Sequence, residues 1–413
     1  GGGFQQAVEM CSGVGHCRKQ KVGTMCPSYM ATLEEEHSTR GRANALRAAL
    51  SGTLDADGLA SRQLFEVMDL CLECKACKGE CPSSVDMAKL KYEFLAQYYA
   101  IHGYPLRSRL FARIDLISRW GSAFAPISNW IAGAAPTRWL LDRVIGIEAR
   151  RQMPRFTRRR FSTWFEGHHR RRSTRGPVVL FHDTYTEHSD PQIGMAATII
   201  LERAGYEVVL ADGKVCCGRP MISKGFLRQA REHARHNLRV LAPLAAKGWP
   251  ILGLEPSCLL TLRDDYLDLV PGSEARLVAD HAFMLEEFLV GLSRTGELEL
   301  PFTGTAKNIL VHGHCQHKAL GGTSDTVAVL NLPPNYHAVE IDSGCCGLAG
   351  SFGYEKEHYD LSMKIGEERL FAAIRAADPT VEIAAAGTSC RHQIADGTGR
   401  TARHWTELLV EAL

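Results

Sequence analysis

The run Cys71-Leu-Glu-Cys74-Lys-Ala-Cys77-Lys-Gly-Glu-Cys81-Pro82 constrains this chain more than any other feature. Its C-x2-C-x2-C-x3-C-P spacing lets tight turns bring three thiolates onto one iron–sulfur cluster. The fourth, held before proline, reaches a second cluster. A zinc site would instead pair two separated C-x2-C knuckles. The chain has 14 cysteines in 413 residues, seven before Pro82 and seven after Val215. A chain of this length needs no disulfide staples, and the local spacings are those of cluster ligands, so a reducing compartment is expected. The expected location is cytoplasmic, with a peripheral position at the inner face of the membrane as the second option.

A looser group precedes the sharp one: Cys11, Cys17 and Cys26-Pro27. A regular pattern would have a cysteine at position 14, where Val14 stands, and Arg18 to Met25 form an insertion. Cross-ligation assigns Cys26, Cys71, Cys74 and Cys77 to one [4Fe–4S] cluster. Cys11, Cys17 and Cys81 then hold a second, one thiolate short. That second cluster is either [4Fe–4S], with His16 the nearest candidate for an unusual ligand, or [3Fe–4S]. Arg40, Arg42 and Arg47, on a helix starting at Thr39, either neutralise a cluster or form a solvated face. Ser61 to Leu70 reads as a short helix delivering Cys71.

Residues 88–148 carry apolar-periodic stretches, among them Tyr92, Phe94, Leu95 and Tyr98, followed by Trp120, Trp130 and Trp139. They are expected to be helices packed over the cluster module, with the tryptophans in the core. A docking face for a partner domain or the membrane is the alternative. Residues 150–175 turn basic, with Arg158 to Arg160 and Arg170 to Arg172, and read as a linker or a contact for an acidic neighbour. No nucleic-acid-reading motif accompanies them, so no nucleic-acid partner is expected. No apolar run reaches the roughly 18 residues of a spanning helix, so no transmembrane segment is expected. The opening Gly1-Gly2-Gly3 lacks an initiator methionine, and the chain is expected to be a piece of a longer polypeptide.

The remainder repeats itself. The apolar strand Pro177 to Phe181, followed by His182-Asp183, matches Lys307 to Val311, followed by His312-Gly313-His314-Cys315. Cys216-Cys217-Gly218 matches Cys345-Cys346-Gly347, and Pro256-Ser257-Cys258 matches Thr388-Ser389-Cys390. In the first copy a helix is expected over 193–204, then a strand over 206–210; in the second, a helix over 355–370. The expected fold is α+β overall. An all-helical bis-cluster module over 1–100 and a helical, basic connector over 101–176 precede a duplicated α/β cysteine-rich domain, 177–300 and 301–413, with pseudo-twofold symmetry.

The copies differ in chemistry. The second has four separated thiols, Cys315, Cys345, Cys346 and Cys390, enough for a further [4Fe–4S] cluster or another metal. The first has Cys216, Cys217 and Cys258, with Asp183 where Cys315 stands. It either completes a site with Asp183, His182 or Glu255 or binds nothing. His182, His188, His312, His314 and His317 crowd the loops after the two strands, and strand ends of open α/β sheets are where ligands sit. A cleft between the copies is therefore a candidate for a small molecule or metal. No catalytic residue is assigned.

Ala7 to Cys11, Met25 to Met30 and His37 to Arg42 resemble the iron–sulfur half of fused FAD-linked oxidases, including bacterial D-2-hydroxyglutarate and D-lactate dehydrogenases. The two Cys-Cys-Gly segments are similar to the cysteine-rich domains of glycolate oxidase and anaerobic glycerol-3-phosphate dehydrogenase iron–sulfur subunits and of the cysteine-rich subunit of heterodisulfide reductase. The resemblance implies an FAD-binding oxidase domain, upstream in the same polypeptide or on a separate subunit, that oxidises a 2-hydroxy acid by hydride transfer. FAD would reside only in that missing domain. Electrons would pass through the clusters of this chain to a quinone or a carrier protein. The chain departs from the family's cysteine-rich pattern at Asp183, Glu255 and Gly387, which argues against non-cubane clusters. The C-x5-C spacing around Val14 resembles that at the [3Fe–4S] centre of succinate dehydrogenase. Two alternatives to the relay are a self-contained heterodisulfide-reductase-like enzyme and metal-dependent chemistry in the cleft.

Overall fold

Short capped helices build the N-terminal part. In the computed structural model, which describes residues 3–169, 173–302, 304 and 306–413, the Ser38 hydroxyl accepts from Gly41 N at 2.9 Å and starts the helix Thr39–Leu50. Ser61 does the same for Arg62–Asp69, the helix that ends just before Cys71. Such caps satisfy amide groups that a helix start leaves free. Asp86 caps the longer helix Met87–His102, which buries Tyr92, Phe94, Leu95 and Tyr98 as their spacing predicts. Arg170 to Arg172 of the basic run lie outside the described residues, as do Gly1 and Gly2.

Two parallel sheets follow. The first contains β1 (Pro177–Phe181), β2 (Glu207–Leu210), β3 (Ile251–Gly253) and β4 (Ala282–Met284), in the order β2-β1-β3-β4. The second contains β5 (Lys307–His312), β6 (Tyr336–Glu340), β7 (Glu382–Ala385) and β8 (Ala402–Arg403), in the order β6-β5-β7-β8. Each is thus strung in the same way, with Val179 pairing Val209 and Ile251 in the first sheet, and Ile309 pairing Ala338 and Glu382 in the second. The central strands are apolar because helices cover both faces of a parallel sheet. One buried core contains Leu180 and Leu252 from the first sheet and Val311 and Ala384 from the second, together with Trp405.

Two expectations need correction, and one pair of alternatives is decided. Trp120, Trp130 and Trp139 are 64%, 75% and 61% exposed and form no part of the core. Their helices turn small and polar side chains inward instead. Arg42 lies on no solvated face. It is fully buried and donates to His37 O, Val67 O and Ser28 Oγ. The helix expected from Glu355 begins only at Tyr359 and runs to Gly366. The preceding residues form 3₁₀ turns that let His358 reach back to Glu355 and across to Asp69.

A buried charged seam fastens the N-terminal part to the first sheet's domain. Lys75 Nζ donates to Asp264 at 2.6 Å and Asp265 at 2.7 Å, and Arg219 donates to Glu73 at 2.8 Å. Lys75 is 1% exposed. Burial opposes ionisation of Asp264 and Asp265. Lys75 nevertheless holds both below the usual carboxylate range, helped by Lys89 at the first and Arg219 at the second. This link is present above the ordinary carboxyl pKa of about 4 and is lost as pH falls below it. Lys75→Met leaves two buried carboxylates short of a partner. It should cost on the order of 3 kcal/mol, read as a lower denaturant midpoint of the cluster-loaded chain. A change below about 0.5 kcal/mol, typical of a surface substitution, would refute the assignment.

Candidate metal centres

All fourteen cysteines are free of disulfides, and seven of them converge on two small voids in the N-terminal part. Cys26, Cys71, Cys74 and Cys77 line one void. Cys11, Cys17 and Cys81 line the other, beside Val14 and His16. Local structure explains the grouping. Cys26 directly precedes the helix Pro27–Thr32, Cys71 follows a helix end, and Cys77 and Cys81 sit in and just after the short helix Ala76–Glu80. Donors point at sulfur: Arg42 Nη1 lies 3.6 Å from Cys26 Sγ, and Arg40 N lies 3.4 Å from Cys17 Sγ. Burial pushes the Cys71, Cys74 and Cys77 thiols up, so thiolates there need a bound cation. Soft, convergent, water-poor sulfur donors fit an iron–sulfur cluster.

The second sheet's domain gathers four more thiols. Cys345 lies beside both Cys315 and Cys346, and Cys390 lies beside Cys346. A nitrogen of His312 and the sulfurs of Cys346 and Cys390 all lie within 4.8 Å of one another. His312 Nδ1 pairs with Ser343 Oγ at 2.8 Å, while its Nε2 is buried without a hydrogen-bond partner. The neighbouring Cys345 and Cys390 thiols, with the His312 ring beside them, hold the Cys346 thiol well below its ordinary value. Gly347 makes the turn behind the pair at φ 96°, where a Cβ would stand 2.2 Å from Ser362 O.

The first sheet's domain is arranged differently. Cys217 lies beside Cys216 and Cys258. Both Asp183 oxygens are occupied: Oδ1 accepts from Tyr185 N and Thr186 N, and Oδ2 from Thr186 Oγ1 at 2.6 Å. Asp183 therefore serves as a helix cap. Glu255 bridges two elements, accepting from Ser257 Oγ at 2.9 Å and Thr388 N at 2.8 Å.

The five singled-out histidines do not share one cleft. His182 and His188 line a side cavity of about 850 Å³ with Lys214 and Cys216. His317 is fully buried beside Glu286 and Glu287. His312 stands at the cysteines. Only His314 lines the central cavity, a space of about 170 Å³ bordered by Cys71, Tyr185, Arg219, Cys258 and Cys315. Burial lowers His314 to about 3 and His188 to about 4, so both rings are neutral near pH 7. A Cβ at position 387 would lie 2.5 Å from His314 Cδ2, which explains glycine there.

The central cavity adjoins three cysteine groups. Gln316 Nε2 donates to Glu73 O at 3.1 Å, and a Cβ at Gly79 would meet Ala319 O at 2.7 Å. The helix Cys315–Leu320 thus lies directly on the helix Ala76–Glu80, and the charge of Cys315 adds to the burial that raises Cys74. Sequence reasoning missed Tyr185, Arg219 and the Asp69–His358 pair. Arg219, next to Cys216-Cys217-Gly218, had a positional signal; Tyr185 had none.

Comparison with known proteins agrees with this geometry. The 4Fe-4S dicluster domain matches residues 10–86, and the cysteine-rich domain matches residues 179–263. The chain is an iron–sulfur protein built on these two domains. It is 29% identical over 334 residues to a subunit of the anaerobic glycerol-3-phosphate dehydrogenase of Escherichia coli, covering 80% of this chain and 83% of that one. It is 27% identical over 460 residues to D-2-hydroxyglutarate dehydrogenase of Pseudomonas putida, covering 99% of this chain but 43% of the relative. With the glycolate oxidase iron-sulfur subunit of Escherichia coli it shares 24% identity over 402 residues, 94% of this chain and 91% of that one.

One link at the iron–sulfur protein's central cavity is set to respond to pH. His358 Nε2 stands 2.8 Å from Asp69 and its Nδ1 3.3 Å from Glu355. Burial alone would lower the imidazole, but the two carboxylates override it and raise it to about 9. A raised folded-state value means stability that is complete below the ordinary value of 6.5 and lost as pH rises through about 9. The thermal midpoint should fall across that window in the parent chain. His358→Gln should flatten this part of the profile, and an unchanged slope would refute the link.

Proposed function

We propose that this chain is the iron–sulfur electron-transfer part of an FAD-dependent D-2-hydroxy-acid dehydrogenase, of the D-2-hydroxyglutarate, D-lactate or glycolate type. The observation that carries the reading is the continuity of cysteine groups through the interior, with Cys74 close to Cys315 where Gly79 packs on Ala319. The relatives whose names include an iron-sulfur subunit or a dehydrogenase subunit support it. A flavin-bearing partner, on the same longer polypeptide or on a separate subunit, would deliver electrons, and a quinone or a carrier protein would take them.

Three groups of residues would hold clusters: Cys26, Cys71, Cys74 and Cys77; Cys11, Cys17 and Cys81; and Cys315, Cys345, Cys346 and Cys390. The second is [4Fe–4S] if His16 or another ligand completes it, and [3Fe–4S] otherwise. Bound clusters supply reversible one-electron storage whose potential depends on hydrogen bonds to sulfur and on solvent exposure. The protein's part is to keep these sulfurs dry and to aim N–H groups at them, as Arg40 and Gly347 do. We read residues 177–300 and 301–413 as two copies of one unit behind a cluster module over 1–100 and a connector over 101–176. The common strand order supports this. In the first copy Asp183 is committed to capping, so Cys216, Cys217 and Cys258 are read as holding no cluster.

A second reading draws on the central cavity. Tyr185, Arg219 and His314 surround a space bordered by Cys71, Cys258 and Cys315, which suits a self-contained reductase acting on a small substrate or disulfide. The relay is preferred because the cavity adjoins two of the proposed cluster sites.

Iron and acid-labile sulfide per anaerobically purified chain test the assignment. About 12 irons fit three cubane clusters, and 11 or so fit a three-iron second centre. Cys390→Ala should lose about four irons, whereas Cys258→Ala should lose none. Loss of iron in the Cys258 variant alone would reverse the assignment of the two copies. The loaded chain without a flavin partner should not oxidise 2-hydroxy acids, and turnover under those conditions would favour the second reading.

A further inference from the structure

Three consecutive helices between the cluster module and the first sheet are inverted. Ile114–Ala123 buries Ser118, Gly121 and Ser122 and exposes Leu116, Ile117 and Trp120. In Ile127–Gly133, Ser128 and Asn129 point inward: Ser128 Oγ donates to Gly121 O at 2.6 Å, and the Asn129 amide exchanges two 2.8 Å bonds with the Phe156 backbone. Ile127, Trp130 and Ile131 point out, at 63%, 75% and 48% exposure. In Ala135–Leu140, Arg138 turns inward onto Ala149 O, while Trp139 and Leu140 face outward. A water-facing helix would do the reverse. The inward polar contacts are specific hydrogen bonds, so the inversion is built into the segment.

The surroundings select one occupant. Residues 106–160 contain twelve arginines and only three acidic side chains, Asp115, Asp142 and Glu148. Arg113, Arg143, Arg155, Arg158 and Arg159 are exposed and form no ion pair among the described residues. An exposed tryptophan-rich apolar face flanked by unpaired arginines complements an anionic bilayer surface, with tryptophan at the interface and arginine at the headgroups. The helices have 10, 7 and 6 residues. At 1.5 Å per residue the longest reaches about 15 Å, half the roughly 30 Å hydrocarbon core. No helix among the described residues is long and apolar enough to cross a membrane. The face can therefore only lie in the interface plane.

We propose that residues 113–144 form an in-plane foot that docks this protein on an anionic membrane surface. The proposal rests on the inverted helices and the unpaired arginines, and it stands whatever the electron-transfer reading becomes.

The test is sedimentation of the full, cluster-loaded chain with vesicles of phosphatidylglycerol and phosphatidylcholine in equal parts, against phosphatidylcholine alone. Brominated lipid reports tryptophan depth. The parent should sediment with the anionic vesicles, more weakly at high salt and on neutral lipid, and brominated lipid should quench its fluorescence. Trp120→Gln with Trp130→Gln should weaken binding at least tenfold. Arg143→Glu with Arg155→Glu should weaken it on anionic vesicles only. Trp130→Gln alone, at a side chain that touches little of the fold, should retain the parent's cluster absorbance and still reduce both binding and quenching. A parent that ignores both vesicle types would overturn the proposal, as would tryptophan variants that bind as well as the parent. So would a parent that binds no vesicles but is a dimer in solution, dissociated by Trp130→Gln; a second copy would then cover the face.

Discussion

The docking of the cysteine-rich segment onto the two sheet domains rests on a buried exchange of charge. Glu73 and Lys75 occupy variable positions within Cys71-x-x-Cys74-x-x-Cys77, and both take left-handed backbone conformations, at φ 53° and 58°. Non-glycine residues adopt that region at some cost. Here the turn that presents the sulfurs also throws Glu73 toward Arg219 and Lys75 toward Asp264 and Asp265. Arg219 in turn follows Cys216-Cys217-Gly218. Desolvation offsets much of the attraction between such buried partners, so their net stabilisation is small. We attribute to them the fixing of register: a slip of the module along the first sheet's domain would strand buried charge. That register sets Gly79 on Ala319 and so sets Cys74 beside Cys315.

The sequence pattern was informative where the chemistry is local. Cysteine spacing gave the grouping of sulfurs around two voids, and apolar strands flanked by turn residues gave both β1 and β5. It was uninformative where an interaction joins distant segments. Glu73, Lys75 and Arg219 look like ordinary surface charges in the sequence, because nothing near residue 73 announces a partner at 219 or 265. The delayed helix start at Tyr359 has the same origin. The local pattern favours helix from Glu355, but the Asp69 carboxylate, far away in sequence, captures His358. The tryptophans were misread for another reason. Apolar periodicity says that one helix face is apolar, but not whether that face meets protein.

The two sheet domains differ at single positions after their matching strands. At the end of β5 the chain has Cys315, and its sulfur contacts Cys345. At the end of β1 the corresponding position is Asp183, whose oxygens are taken up by the helix start at Thr184. A carboxylate there satisfies backbone amides well, and for that reason is unavailable as a ligand. Glu255 shows the same trade in another form. It closes the start of its own helix and that of the helix carrying Cys390, joining the two domains.

The inverted helices and the cavity are two sides of one segment. Phe111, Ile114 and Met153 wall the central cavity, while Ile117, Trp120 and Phe124 face outward from the same stretch of chain. A segment with apolar surface on both sides cannot be stabilised in water by burial of one face alone. Ordering it uses polar contacts in between, of the kind made by Ser122 with Thr157 O and Asn129 with Phe156. Those contacts hold the outer face in place with no partner bound. This preorganisation lowers the entropy cost of any docking event.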